Sequence, residues 1–85
     1  MTRYLITTSN CHACEQMKAK LKRHMIEHTV LDYNRSEAQE LIAKYALRPV
    51  IRGFPFFFRV NGNGYIVEHF SGHIRDTEMF LRRVE

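Results

Sequence analysis

Two cysteines near the start of the chain have the residue type and spacing that point most directly to chemistry. Cys11 and Cys14 are separated by His12 and Ala13. This spacing lets the two sulfurs meet across the first turn of a helix, so the pair can form and break a disulfide bond. The pattern therefore indicates dithiol–disulfide exchange.

Cys11 is expected at the start of a helix, a position that favours a reactive thiolate. The positive end of the helix dipole and the unpaired amide N–H groups stabilise thiolate over thiol and so lower the pKa. A protonated His12 beside it would act in the same direction. We therefore expect Cys11 to be the exposed nucleophile, with a pKa below the ~8.5 of a free cysteine.

Cys14 is expected to be the resolving cysteine. Helical spacing places it on an apolar stripe with Met17, Leu21 and Met25. Burial among apolar groups raises the pKa of a thiol, so Cys14 should stay protonated until Cys11 has formed a mixed disulfide with a substrate. Cys14 would then displace the substrate from Cys11.

Metal binding and two ordinary core thiols are the alternatives for this pair. A structural zinc site needs four ligands. His24 and His28 are four residues apart, but along a helix they would lie about 15–20 Å from Cys14. His69 and His73 are expected at the surface, at the ends of a strand and a loop. We therefore expect no bound metal.

The sequence before residue 28 predicts a strand followed by a helix. Alternation of residue types over 2–7, with β-branched and aromatic enrichment, is typical of a strand. The helix is expected over about 11–27, with Ser9 or Asn10 as its N-cap. We interpret its basic residues as a solvated face, or alternatively as a rim that attracts acidic substrates: Lys18, Lys20, Lys22 and Arg23.

A second strand and a second helix are predicted next. The strand covers about 29–33, and Ser36 and Gln39 have the spacing of a capping box at a helix start. Pro49 should end this helix, because proline lacks the amide donor and restricts the residue before it. The expected buried stripe is Ala38, Leu41, Ile42 and Tyr45.

The remaining sequence predicts a β-hairpin and a last helix. Two β-rich runs, 56–60 and 65–70, flank an Asn-Gly-Asn-Gly turn. Most of the phenylalanine run at 54–58 is expected in the core. The last helix should start at about Arg75 or Asp76 and should direct three residues to the core: Met79, Phe80 and Val84.

The element order β-α-β-α-β-β-α predicts an α/β fold. A right-handed crossover through the first helix would make the first two strands parallel, and the hairpin would complete a four-stranded mixed sheet with helices on both faces. With 85 residues, of which 45% are hydrophobic and 26% charged, one domain over 1–85 is expected rather than disorder or two cores.

Several features together resemble the thioredoxin superfamily. They are the strand before a C-x-x-C at a helix start, Gly53-Phe54-Pro55 before a hairpin, and Gly72 before the last helix. The length is similar to that of a glutaredoxin or a small phage-type thioredoxin. The resemblance implies a thioredoxin-like fold of glutaredoxin size and a thiol–disulfide oxidoreductase activity.

The resemblance also implies a substrate groove. Pro55 corresponds to the cis-proline of the family, which makes the backbone of Phe54 a docking edge for a peptide or a glutathione mixed disulfide. Arg52 would lie near this groove and could pair with a carboxylate. Gly72 and Asp76 stand where many glutaredoxins use a double glycine and acidic residues to hold glutathione. The His-Ala dipeptide departs from the family's Gly-Pro and Pro-Tyr, and we expect His12 to make the pair more oxidising.

The expected partners follow from the same resemblance. They are proteins that contain disulfides, such as ribonucleotide reductase, with glutathione or a thioredoxin reductase as electron donor and no bound cofactor. The net charge of +4 is too small and too scattered to indicate nucleic-acid binding. No apolar run is long enough to span a membrane, and 1–8 has no signal-peptide core, so we expect a cytoplasmic monomer.

Two other functions remain open at this point. The chain could be a non-catalytic binding module that keeps the fold and holds a partner through the basic helix face or the Pro55 groove. It could also be a metal or iron–sulfur carrier that uses Cys11 with an external thiol in a dimer.

Overall fold

The computed structural model describes all 85 residues and contains four strands and three α-helices. In chain order these are β1 (Thr2–Thr7), α1 (His12–Arg23), β2 (Thr29–Asp32), α2 (Ser36–Lys44), β3 (Phe56–Val60), β4 (Ile66–Ser71) and α3 (Thr77–Val84). A short 3-10 turn, Arg48–Val50, follows α2. None of the helices is long and apolar enough to cross a membrane.

The strands form one mixed sheet in the order β2-β1-β3-β4. β1 and β2 are parallel, whereas β3 is antiparallel to both β1 and β4. The parallel pair is joined through α1 and the antiparallel pair through the short hairpin, as their connection lengths require. The predicted element order and mixed sheet are confirmed.

Two apolar clusters hold the helices to opposite faces of the sheet. The cluster under α1 and α3 consists of Leu5, Met17, Leu21, Phe57, Phe70, Phe80 and Val84. The cluster under α2 consists of Ile6, Ala38, Ile42, Leu47, Phe56, Phe58 and Val60. Side chains alternate between the faces along β3, so the phenylalanine run supplies both clusters, and burial of one such side chain contributes about 1.5–3 kcal/mol. The core position expected for this run is confirmed.

Helix α1 is shorter at its C-terminal end than the sequence predicts. His24 is its C-cap, and Met25 has a left-handed φ of 58°. The N–H of Ile26 donates to the Leu21 carbonyl at 2.9 Å, and the N–H of Met25 donates to the Lys22 carbonyl at 3.0 Å. This is a Schellman motif, which ends a helix. The expected extension to residue 27 is therefore wrong, and Met25 is 90% exposed rather than part of the buried stripe.

Helix α2 ends in the same way and starts without a capping box. Ala46 has a φ of 52°, and the N–H of Leu47 donates to the Ile42 carbonyl at 2.9 Å. The helix therefore ends at Lys44, before Pro49 can act on it. Of the stripe predicted for α2, two residues are buried and two are half-buried: Ala38 and Ile42, then Leu41 and Tyr45.

The predicted capping box at the start of α2 is also wrong. The N-cap is Arg35, whose side chain makes no capping hydrogen bond. The side chain of Gln39 instead donates to the Tyr33 carbonyl at 2.6 Å and accepts from Arg48 at 3.2 Å. The Gln39 side chain therefore bonds to residues six and nine positions away instead of to Ser36.

Helix α3 begins at Thr77, and Asp76 is its N-cap. The Asp76 carboxylate accepts a hydrogen bond of 2.8 Å from the backbone N–H of Met79. Phe80 and Val84 are buried as predicted, but Met79 is 49% exposed and does not reach the core.

Candidate active site

Cys11 and Cys14 form a disulfide at the start of α1, with their Cα atoms 5.2 Å apart. Cys11 itself is the N-cap, so the predicted caps Ser9 and Asn10 are wrong. The Sγ atom of Cys11 accepts a hydrogen bond of 3.1 Å from the backbone N–H of Cys14. Sulfur here takes the place of the usual capping oxygen, and the same donor would stabilise a Cys11 thiolate after reduction.

The two cysteines differ in their access to solvent. Cys14 is fully buried, whereas Cys11 is half-buried at the edge of the protein. A disulfide substrate can therefore approach the Cys11 sulfur but not the Cys14 sulfur. This asymmetry is the one that an attacking and a resolving cysteine require.

His12 is the first residue of α1, and its side chain is exposed. Its position beside Cys11 is fixed by the chain. Its effect on the Cys11 thiolate remains a prediction, because adjacency does not determine the direction of the ring.

The backbone around Pro55 borders the Cys11 sulfur. The carbonyl oxygen of Phe54 lies 3.9 Å from the Cys11 Sγ atom, and the Phe54–Pro55 peptide bond is cis. The ring of Phe54 packs edge-on against Tyr33 with ring centroids 4.9 Å apart. The carbonyl oxygen of Pro55 accepts a hydrogen bond of 2.7 Å from the N–H of Gly72. Phe54 therefore borders Cys11, and Gly72 adjoins Phe54 through Pro55.

A hollow of about 450 Å³ opens next to this backbone. Arg52, Gly53 and Phe54 form one side of it, and the Ser71–Gly72 backbone forms part of the other. The backbone N–H of Arg52 donates to Ser71 Oγ at 3.1 Å, while its exposed guanidinium makes no ion pair. Arg52 is thus placed to meet a carboxylate in this hollow.

Asp76 does not line the hollow at Phe54. Its carboxylate caps α3, as described above. The predicted contact of Asp76 with a substrate remains a prediction, and its observed contact stabilises a helix start, typically by about 1 kcal/mol.

The environment of Lys20 differs from the one that the sequence predicts. It is expected on a solvated face, yet it is only 6% exposed. Its ammonium donates to the carbonyl oxygens of Ile74 at 3.0 Å and Arg75 at 2.8 Å, and lies 4.9 Å from the ring centroid of Phe80. Lys20 therefore ties α1 to the loop between Gly72 and α3. Its spacing of three residues from Met17 is the sequence feature that could have revealed its burial.

His73 lies in the loop that Lys20 holds and is half-buried rather than at the surface. Its Nε2 atom is buried without a hydrogen-bond partner. Burial lowers the pKa of His73, and the nearby charges of Lys20 and Arg75 lower it further. Both effects favour the neutral form of the imidazole.

The predicted helical pair of His24 and His28 does not form. Helix α1 ends at Arg23, and the Nδ1 atom of His28 lies 2.7 Å from the carbonyl oxygen of Ile26. No group of three or more His, Cys, Asp or Glu side chains is arranged to hold a metal ion.

Comparison with known proteins finds similarity at the level of the three-dimensional structure. No protein-family model and no curated protein matches this sequence. A solved structure, the C-terminal domain of DsbD from Neisseria meningitidis in the reduced form, superposes with a TM-score of 0.62. The match covers 96% of this chain and 79% of the DsbD domain, at 21% sequence identity. At this identity the likeness concerns the fold. The chain therefore has the thioredoxin-like fold of the superfamily that its sequence resembles, with Cys11 and Cys14 at the start of the first helix.

Proposed function

We propose that the protein is a thiol–disulfide oxidoreductase that cycles Cys11 and Cys14 between dithiol and disulfide. The observation that carries the proposal is the pairing of a half-buried Cys11 with a fully buried Cys14 across the first turn of α1. Thiol–disulfide exchange needs no bound metal or organic cofactor, so these two sulfurs suffice.

The first step uses the Cys11 thiolate. It attacks one sulfur of a substrate disulfide, a new bond joins Cys11 to that sulfur, and the other substrate sulfur leaves as a thiolate and takes a proton from solvent. The N–H of Cys14, 3.1 Å from the Cys11 sulfur, stabilises the attacking thiolate.

The second step uses Cys14. Its thiol releases a proton, and the resulting thiolate attacks the Cys11 sulfur and displaces the remaining substrate thiolate. The substrate gains two electrons, and the protein loses two as the Cys11–Cys14 disulfide forms. An external thiol or dithiol must then reduce this disulfide.

The groove beside Cys11 supplies the docking contacts of this proposal. The Phe54 backbone lies against the Cys11 sulfur, and Gly72 adjoins it through Pro55. An extended substrate can hydrogen-bond to such backbone groups as an added strand does. Arg52 can hold a nearby carboxylate.

The partners in this proposal are those expected from the resemblance. Protein disulfides such as that of ribonucleotide reductase are the substrates, and glutathione or a thioredoxin reductase returns the electrons. The reaction fits the cytoplasmic location expected from the sequence, since a reducing compartment keeps the donor reduced.

Turnover by cysteine variants tests the proposal. Reduction of insulin and of a glutathione mixed disulfide is measured for wild type, Cys11→Ser and Cys14→Ser. We expect Cys11→Ser to abolish both activities. We expect Cys14→Ser to stop insulin reduction and to accumulate a mixed disulfide on Cys11, detectable by mass spectrometry. Unchanged turnover in Cys11→Ser would exclude the proposal, and partner binding without turnover in any of the three proteins would favour a non-catalytic module.

A further inference from the structure

A second hollow, of about 400 Å³, lies farther along the same face of the sheet. Tyr45 and Leu47, which follow α2, form one side, and Tyr65 and Ile66 of the hairpin form the other. This hollow and the one at Phe54 share Val50 and His69 in their linings, so the two adjoin. Together they form one trough, which we call the β4 trough.

The trough is open to solvent because α2 covers the part of this sheet face that is farther from β4. Helix α2 packs next to β2, at one edge of the sheet, while β4 forms the opposite edge. Tyr65 is 70% exposed, and His69 is exposed as well. The part of the sheet face beside β4 is therefore left uncovered next to the proposed reaction centre.

Strand pairing fixes the direction of the β4 trough. Ser71 is paired with Phe56, the residue directly after Pro55, whereas Ile66 is paired with Val60 at the hairpin end. The trough therefore starts at Phe54, whose carbonyl oxygen lies 3.9 Å from the Cys11 sulfur, and leads away from it toward the hairpin. Ser71 and Ile66 are five positions apart along β4, which corresponds to about 17 Å.

The chemical character of the lining residues changes from one end of the trough to the other. Arg52, whose guanidinium makes no ion pair, lines the end of the trough at Phe54. The far end is lined by Tyr45 and Tyr65, whose rings offer apolar area together with a hydroxyl group. A complementary ligand has a carboxylate near the reacting cysteine and an aromatic or large aliphatic side chain farther away.

We propose that the β4 trough binds the polypeptide on one side of the substrate cysteine. A carboxylate of that segment pairs with Arg52, and an aromatic or large aliphatic side chain, four to six residues from the cysteine, packs between Tyr45 and Tyr65. The inference rests on the proposed thiol–disulfide exchange and names its substrate class. Glutathione has one residue on each side of its cysteine, and neither arm extends beyond roughly 10 Å, so it cannot reach the far end. The trough therefore selects polypeptide disulfides over glutathione.

Model peptides test this selection. Each peptide has ten residues and carries one cysteine as a mixed disulfide with thionitrobenzoate. Asp stands two residues from the cysteine, and Phe or Ser stands five residues from it. Phe or Ser precedes the cysteine in one set of peptides and follows it in the other. The mixed disulfide of glutathione with thionitrobenzoate is the short substrate. The variant is Tyr65→Ser, since this side chain is exposed and its backbone keeps both hydrogen bonds to Asn61. The matched control is Val67→Ser, which removes another exposed apolar side chain of β4 outside both hollows.

We expect wild type to have a lower KM for one Phe peptide than for its Ser counterpart. Tyr65→Ser should raise the KM for that Phe peptide about five- to tenfold, with kcat unchanged. Tyr65→Ser should leave the KM for the glutathione substrate unchanged. Val67→Ser should have the wild-type KM for each substrate. Arg52→Gln should remove the preference for Asp over Asn in the same peptide.

Three results would overturn the inference. They are equal KM values for Phe and Ser peptides in wild type, equal effects of Tyr65→Ser and Val67→Ser, and a dimer that Tyr65→Ser converts to a monomer, which would assign the trough to a second copy of the chain. If no protein turned over any substrate, the proposed function would fail separately. Peptide affinity, measured by fluorescence anisotropy, would then test the trough, and equal affinities of wild type and Tyr65→Ser would overturn it.

Discussion

The backbone N–H of Gly72 donates a hydrogen bond of 2.7 Å to the carbonyl oxygen of Pro55. This contact joins the loop after β4 to the backbone that borders Cys11. On its other side the same loop is held by the buried ammonium of Lys20. The groove beside the disulfide therefore depends on a loop that is fixed from two directions.

Gly72→Ala should destabilise the protein through backbone conformation alone. Gly72 has a φ of 92°, where a side chain is strained, although an added Cβ would meet no atom within 4 Å. We expect a loss of about 1–2 kcal/mol in the free energy of unfolding, measured by urea denaturation. Gly62→Ala is the matched control, because its added Cβ also meets open space and its φ is not left-handed. Equal losses in the two variants would refute this explanation.

Lys20→Met should destabilise the loop that follows β4. The substitution keeps the length of the side chain but leaves two carbonyl oxygens, those of Ile74 and Arg75, without their donor. We expect unfolding to cost about 1–3 kcal/mol less than in wild type. Lys22→Met, at an exposed position of the same helix, should change stability by no more than about 0.5 kcal/mol. A Lys20→Met protein as stable as this control would show that burial of the charge offsets its hydrogen bonds.

Ala46→Gly should stabilise the protein. Ala46 has a φ of 52°, which costs an L-residue about 1–2 kcal/mol, and glycine removes this strain at a smaller entropic cost. We expect a net gain of about 0.5–1 kcal/mol in thermal or urea unfolding. The same substitution inside α2, Ala43→Gly, should have the opposite sign and cost about 1 kcal/mol. A loss of stability in both variants would contradict this reading of the helix end.

The ion pair of Glu68 and Arg83 should contribute to stability above the ordinary carboxyl pKa and lose that contribution in acid. The hydrogen bond from Arg83, at 2.7 Å, lowers the pKa of Glu68 below its ordinary 4.5, and the charge of Arg83 adds to this, against the effect of burial. The folded state thus binds the proton less readily, so stability falls as the pH drops below about 4.5. With both side chains partly exposed, the pair is worth about 1 kcal/mol or less.

Denaturation at pH 6 and pH 3 measures this contribution. Glu68→Gln should lose less stability between the two pH values than wild type does. Glu78→Gln, which removes an exposed carboxylate paired with Arg82, should behave as wild type. If Glu68→Gln followed the wild-type pH dependence, the Glu68 carboxylate would not be coupled to folding.

The parts of the fold that could be predicted from the sequence are those set by local patterns. The two β-rich runs at 56–60 and 65–70 and the Asn-Gly turn between them define a hairpin without reference to the rest of the chain. The spacing of Cys11 and Cys14 similarly defines where their sulfurs can meet. These features can be predicted from the sequence because the residues that interact are only a few positions apart.

The parts that could not be predicted depend on distant partners or on unusual backbone. The carbonyl partners of Lys20 are 54 and 55 residues away, so no local pattern reveals them. Met25 and Ala46 end their helices in a left-handed conformation that glycine usually adopts, and nothing in their residue type indicates it. The β4 trough likewise requires the strand order, which places β4 at the edge away from α2.

The central claim is that Cys11 is the activated, accessible sulfur of the pair. Its most direct test is the pH dependence of iodoacetamide alkylation in the reduced protein, with the modified residue identified by mass spectrometry. We predict that Cys11 is modified before Cys14 and that its rate follows an apparent pKa below the ~8.5 of free cysteine. Modification of Cys14 first, or a Cys11 rate that follows a pKa at or above that value, would contradict the account.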